Sequence, residues 1–258
     1  GFVAPQATVI SRLHYGARLI RATDHCHLSA MALDMIYFTP TIMTEDLHPS
    51  TPSDLLLSKK LTLVSLTLAL TLGLFASLKS NPIQPLDNFL RDIFYSHNST
   101  DFAWFSRWVL ASFGHWQTGL LGLIIGIAIL LKQKRFRSTI GFVYGLAMTL
   151  VASSVLKDFV GRDRPQMAGD MINLAWPSGH TMLATVLWGS LLLIVFKEQV
   201  NQKLAMKIWL IIVTITASGR MLAGVHWFTD VVGGFLIGVL ILQSTLYFEE
   251  KSPTPLLD

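Results

Sequence analysis

Six apolar runs, each near the length of a membrane-crossing helix, occupy most of the chain after residue 60. They fall at about 61–78, 108–131, 138–156, 181–196, 208–225 and 229–247. A helix needs roughly 20 apolar residues to cross the hydrocarbon of a bilayer. Inside hydrocarbon every backbone N–H and C=O must be satisfied by the protein, and a helix does this within one segment. The runs therefore predict an all-α, integral membrane six-helix bundle. The fourth is short before Lys197, and the fifth and sixth nearly touch. Only 14% of the 258 residues are charged, against about 25% in ordinary soluble domains. Gly122 with Gly126, and Gly234 with Gly238, have the small-xxx-small spacing that lets helices approach closely.

Charge orients these spans. Lys59 and Lys60 precede the first, Lys132, Lys134, Arg135 and Arg137 separate the second from the third, and Lys197, Lys203 and Lys207 separate the fourth from the fifth. The positive-inside rule puts these segments in the cytoplasm, with both ends of the membrane domain. The loops at 79–107, 157–180 and 219–230 then face the other side. In the first, Leu86, Phe89, Leu90, Ile93 and Phe94 recur at helical spacing. They predict a short interfacial helix in the first extracytoplasmic loop; packing of the same face within the domain is the other reading.

Three segments follow from this division: an N-terminal extension at 1–58, a six-span domain at 59–250 and a cytoplasmic tail at 251–258. The extension has no sustained apolar period, and Met43 opens a polar leader into the first span. Residues 1–42 are expected to be disordered or a translated upstream segment; a targeting segment is the competing reading, since Arg12, Arg18 and Arg21 precede the first acid, Asp24. The net charge of +4 is spread over the breaks between spans rather than gathered in a stripe, so no nucleic-acid partner is expected. A single cysteine, Cys26, excludes an intramolecular disulfide.

Ionisable residues at membrane depth are costly and mark function by default. Here they stand at four helix ends on the non-cytoplasmic side. Lys157, Arg162 and Arg164 close the third span, Ser178, Gly179 and His180 open the fourth, Arg220 ends the fifth, and His226 and Asp230 open the sixth. The four cations contravene the positive-inside rule and outnumber the local carboxylates Asp158, Asp163 and Asp230. Guanidinium forks match phosphate oxygens, and Lys adds a compact charge. His226 and Asp230 are four apart and share a helical face, so the carboxylate can set the imidazole tautomer. Ser178 stands where a helix N-cap is expected, and the first turn after it offers N–H groups to an anion. His180, His226 and Asp230 could ligate a metal, but guanidinium groups repel a bare divalent cation; neither a metal nor another cofactor is expected.

Lys157 and, seven residues on, Arg164-Pro165, then Pro177-Ser178-Gly179-His180, then Gly219-Arg220 followed by His226 and Asp230, resemble the three-part signature of the type 2 phosphatidic acid phosphatases. Vanadium haloperoxidases share that superfamily. The resemblance implies that His226 is the nucleophile, that Asp230 orients it and that His180 protonates the leaving oxygen. It also implies that Lys157, Arg164, Ser178, Gly179 and Arg220 cradle the phosphate without a metal. Arg162 lies outside the defining positions and supports only. One departure is Gly219, where the family usually has Ser.

The resulting expectation is a metal-independent lipid phosphatase acting at the extracytoplasmic face of a bacterial plasma membrane through a phosphohistidine. Its substrate would be undecaprenyl diphosphate or a phosphatidate- or phosphatidylglycerophosphate-type lipid. The rival readings are a vanadate-dependent haloperoxidase and a non-enzymatic lipid or anion transporter, the latter needing more polar residues at the bilayer midplane than these spans carry.

Overall fold

Capping and apolar length explain the helices of the computed structural model, which describes residues 56–95, 99–165 and 174–250. The expectations for residues 1–42 and for the tail at 251–258 lie outside the described residues. Every regular element described is a helix. Helix α1 (Lys59–Ser77) starts at Ser58, whose hydroxyl accepts from the Leu61 N–H. Helix α2 spans Gln84–Tyr95. Helix α3 (Thr100–Trp108) is capped by Ser99 in the same way, and a 3-10 turn at Leu110–Gly114 leads into α4 (Trp116–Lys132). Helix α5 (Phe136–Val160) ends on Gly161 at φ 65°, a left-handed position that suits glycine. Helix α6 covers Gly179–Ser190 and finishes in a π turn at Leu191–Val195. Helix α7 (Gln202–Leu222) is capped by Asn201, and α8 spans Phe228–Glu250.

Five of these segments are long and apolar enough to cross a membrane: Lys59–Ser77, Thr100–Lys132, Phe136–Val160, Gln202–Leu222 and Phe228–Phe248. These take in five of the six expected spans, and the fourth falls on a shorter apolar helix. Gly179–Val195 is shorter than the others and stands at the lower end of the length that crosses a bilayer. Its length follows from its place. Met182, Ala184, Val186 and Leu187 are fully buried, and α6 packs against α8, α7 and α5. A helix apolar on all sides belongs inside other helices. Around it, Leu70 and Leu74 on α1, Leu121 and Ile124 on α4, and Leu150 and Val155 on α5 turn outward. An apolar interior with an equally apolar exterior is the mark of an integral membrane bundle. The second expected span falls within Thr100–Lys132, which includes the 3-10 turn at Leu110–Gly114.

Helix α2 carries the amphipathic face expected in this loop, with Leu90 and Phe94 half-buried. Leu86, Phe89 and Ile93 are exposed, and its fully buried residue is Asp87. Part of the apolar face is therefore exposed, and Asp87 on the polar face packs inward.

Close approaches hold the site end together. A Cβ on Gly234 of α8 would collide with the Ser178 carbonyl ahead of α6, and one on Gly238 with Thr185. Gly219 on α7 lies against the turn after α3: a Cβ there would stand 2.8 Å from the Ser106 carbonyl oxygen and 2.9 Å from the Ala111 nitrogen. Those neighbours are backbone and cannot swing aside, which explains glycine where the resembling family has serine. Gly219→Ser is therefore expected to destabilise the protein by about 1–3 kcal/mol, the usual cost of overpacking. Reversible unfolding in mixed micelles measures this, and a variant as stable as its parent contradicts it.

Candidate active site

The C-terminal ends of α5 and α7 and the N-terminal ends of α6 and α8 meet at one end of the bundle. The basic segments between α4 and α5 and between α6 and α7 lie at the opposite ends of the same helices. The Ser178 N–H donates to the Asp230 carbonyl at 3.0 Å, and the Ala175 N–H to the Arg162 carbonyl at 2.7 Å. These bonds tie the loop after α5 to the starts of α6 and α8.

Asp230 is fully buried and organises the centre. Its Oδ2 accepts from the Trp227 N–H at 2.8 Å and lies 3.3 Å from Nδ1 of His226. Nε2 of His226 lies 3.2 Å from a guanidinium nitrogen of Arg164, which also donates to the Val225 carbonyl at 2.7 Å. Arginine only donates and an ionised carboxylate only accepts. The tautomer follows: Nδ1 carries the proton toward Asp230, and Nε2 presents its lone pair toward Arg164. Burial, then the charges of Arg220, Arg164 and Lys157, hold the His226 pKa well below the ordinary imidazole value of 6.5. The ring stays neutral, and a neutral ring is a nucleophile.

Cations surround that lone pair. Burial lowers the Arg164 pKa, Asp230 opposes the shift, and the charge of Arg107 adds to it; a guanidinium remains protonated in proteins regardless. Lys157 donates to the Leu174 carbonyl at 2.6 Å and more weakly to that of Ala175 at 3.4 Å. Arg220 is 2% exposed, and its Nε has no hydrogen-bond partner among the described residues. Such an unpaired buried donor is expensive unless an acceptor is meant to meet it. Arg220 and His180 line a common cavity of about 190 Å³. Ser178 occupies the N-cap position of α6, yet its hydroxyl makes no capping bond and instead accepts from the Thr181 hydroxyl at 3.1 Å. The N-cap expectation is thus met in position and not in bonding.

Arg162 emerges as more than a supporting residue. Its guanidinium donates to Asp230 Oδ1 and to the Thr229 hydroxyl, each at 2.7 Å, to Asp87 Oδ2 at 2.6 Å and to Gln84 Oε1 at 3.1 Å. Asp87 closes the network by accepting from the Thr229 N–H at 3.0 Å and its hydroxyl at 2.6 Å. The Arg162 guanidinium also lies 5.4 Å from the Trp227 ring centroid. One buried arginine between two buried carboxylates links α2 to the start of α8. Sequence reasoning missed Asp87 and Gln84, because the polar face of an amphipathic helix reads as a solvent face.

A family model of the PAP2 superfamily matches residues 138–253, the stretch from which all of these residues except Asp87, Gln84 and Arg107 come. Residues 138–253 thus form a PAP2-type region within the 258-residue chain. A curated PAP2 relative, phosphatidylglycerophosphatase B of Bacillus subtilis (strain 168), is 31% identical over 119 residues, which cover 42% of this chain and 59% of that protein. The matched region is thus under two thirds of the relative's length. The fold is shared with the crystal structure of the first transmembrane PAP2 type phosphatidylglycerolphosphate phosphatase, from Bacillus subtilis. That likeness has a TM-score of 0.63 at 24% identity and covers 74% of this chain and 95% of the other.

Two outcomes test this site. Asp87→Ala leaves the Arg162 charge short of a buried partner and is expected to cost about 3–5 kcal/mol, the scale for breaking a buried pair; unfolding in mixed micelles reads it, and no loss contradicts the network. In ¹⁵N NMR of histidine-labelled protein, His226 is expected to be neutral with its proton on Nδ1 at pH 6.5. The lowered pKa means protonation sets in only as pH falls well below that point, so a half-protonated His226 signal at 6.5 contradicts it.

Proposed function

We propose that the protein is a metal-independent lipid phosphatase that works through a phosphohistidine. The observation that supports this best is the His226 ring, held neutral with Nε2 directed at Arg164 while Asp230 sits behind Nδ1. Phosphoryl transfer needs an in-line nucleophile and preorganised positive charge more than elaborate covalent machinery. A phosphate is a better acceptor than a neutral imidazole nitrogen, so it draws Arg164 off Nε2 and frees the lone pair. Lys157, Arg164, Ser178, the Gly179 N–H and Arg220 then hold the equatorial oxygens.

In the first step Nε2 of His226 forms a bond to phosphorus while the bond to the leaving oxygen breaks. His180 passes a proton to that oxygen, and Asp230 stabilises the positive charge that grows on the imidazole. In the second step water attacks the phosphohistidine, His180 takes the water proton, the P–N bond breaks and phosphate leaves. Arg162, Thr229 and Asp87 act through Asp230 as positioning residues. Gly179 is flush against Ser153, whose hydroxyl would stand 2.8 Å from a Cβ at 179; glycine keeps that backbone N–H close to the anion.

The membrane frame argues for a lipid substrate with its phosphate at headgroup level. The curated relative is named for phosphatidylglycerophosphate, which favours a glycerolipid phosphate; undecaprenyl diphosphate presents the same terminal phosphate. We place the site on the extracytoplasmic face of a bacterial plasma membrane, with α6 completing a six-helix bundle as a buried sixth segment and both ends cytoplasmic. The basic segments at the far end of the helices support that orientation.

The decisive assay is phosphate release from phosphatidylglycerophosphate in detergent with EDTA present. Wild type is expected to turn over and to be inhibited by vanadate. His226→Ala and His180→Ala are each expected to lose at least 10³-fold in kcat, on the scale of removing a nucleophile or general acid. Full activity in either variant removes that residue from the mechanism.

A further inference from the structure

Beside the phosphate cradle is a second recognition element that the motif residues do not include. The cavity of about 190 Å³ that contains His180 and Arg220 is also lined by Arg107, Trp108, His115, Trp116 and Gln117. None of these residues is acidic. His115 stands edge-on to His180, their ring centroids 5.1 Å apart, and Trp108 stands edge-on to His115 at 5.4 Å. Nε2 of His115 lies 3.1 Å from the Arg107 carbonyl. A carbonyl can only accept, so Nε2 carries the proton and Nδ1 remains for a ligand or a second proton. The turn carrying His115 cannot drift from His180, because Gly114 is flush against the His180 carbonyl. Arg107 is half-buried, its guanidinium 5.7 Å from the Trp108 ring centroid, and its charge is felt at Arg164.

The direction of the reaction gives this cavity a role, on the reading of His226 and His180 proposed above. In an in-line displacement the leaving oxygen lies opposite the nucleophile, beside the acid that protonates it. Whatever that oxygen carries must therefore pass His180, into the space His180 shares with Arg107 and His115. A neutral diacylglycerol has no use for a guanidinium there. A leaving group with its own phosphate does, and Arg107 supplies the charge-assisted hydrogen bonds it needs, while Nδ1 of His115 faces a donor such as a leaving-group hydroxyl or, once protonated, the phosphate itself. Trp108 and Trp116, both exposed, flank the cavity as aromatic residues do at headgroup depth.

We propose that Arg107 and His115 form a leaving-group subsite for a second phosphate, which selects lipids whose leaving group is anionic over phosphatidate. Two sources share that chemistry: a diphosphate, where the second phosphate is bonded directly to the first, and a phosphatidylglycerophosphate, where it is a phosphodiester across a glycerol.

Binding tests the subsite without requiring turnover. Calorimetry on the full chain in detergent compares methylenediphosphonate, which carries two phosphonates, with methylphosphonate, which carries one. Wild type is expected to bind the first more tightly, and Arg107→Gln to reduce that preference about 10- to 100-fold, the scale of a charge-assisted hydrogen bond. Arg107→Lys is expected to restore part of it. Equal binding of the two probes by wild type, or an unchanged preference in Arg107→Gln and His115→Gln, overturns the subsite. A preserved binding preference with no phosphate released from any lipid would instead defeat the phosphatase reading alone. Where turnover is present, kcat/KM ratios for farnesyl diphosphate and phosphatidylglycerophosphate against phosphatidate identify the source. The ratio that falls at least tenfold in Arg107→Gln names it, and equal losses on all three substrates overturn the proposal.

Discussion

The guanidinium of Arg162, shared between Asp87 and Asp230, is the interaction on which the rest of the site depends. A lone buried arginine or a lone buried pair of carboxylates would be strongly disfavoured. Together they satisfy one another through bonds of 2.6 and 2.7 Å, with Thr229 and Gln84 taking further donors. The network keeps Asp230 beside His226 and anchors α2 by its polar face. It also explains how a helix with Leu86, Phe89 and Ile93 exposed stays docked: its fully buried contact is the ionic one at Asp87.

Around that centre the protein assembles positive charge where it is hard to keep. Lys157, Arg164 and Arg220 converge at helix ends, in a region whose walls are apolar and where electrostatic interactions are strong. Lys157 is held by the Leu174 and Ala175 carbonyls, and Arg164 is positioned in part by the Val225 carbonyl and His226. The division of labour is therefore between Arg162, which is shared between two buried carboxylates, and Arg220, whose buried Nε has no hydrogen-bond partner among the described residues.

The candidate site was legible to the extent that its residues lie at fixed spacing within a few helix ends. Lys157, Arg164, Ser178, Gly179, His180, Arg220, His226 and Asp230 could be grouped because span counting put their helix ends on one side. Arg162 was visible but undervalued, since its role depends on a partner 75 residues earlier in the chain. Asp87, Arg107 and His115 were not grouped with the site at all. Each sits in the long segment before α4, where no motif spacing links them to the residues they meet. Gly219 looked like a departure from a family pattern, and its reason is a backbone approach by Ser106 and Ala111 that no local reading contains.

By itself the sequence determined that the chain is helical and membrane-embedded, and which residue types gather at one end of the helices. Those properties are local: run length, cap residues and charge between runs each act within a few residues. Tertiary structure alone decided that α6 is a short buried helix, that α2 turns Asp87 inward, and that Arg107 and His115 flank His180. The physical reason is that amphipathic periodicity shows two faces differ without showing which medium each one meets. In a bilayer the apolar face can point outward and the polar face can be the one that packs.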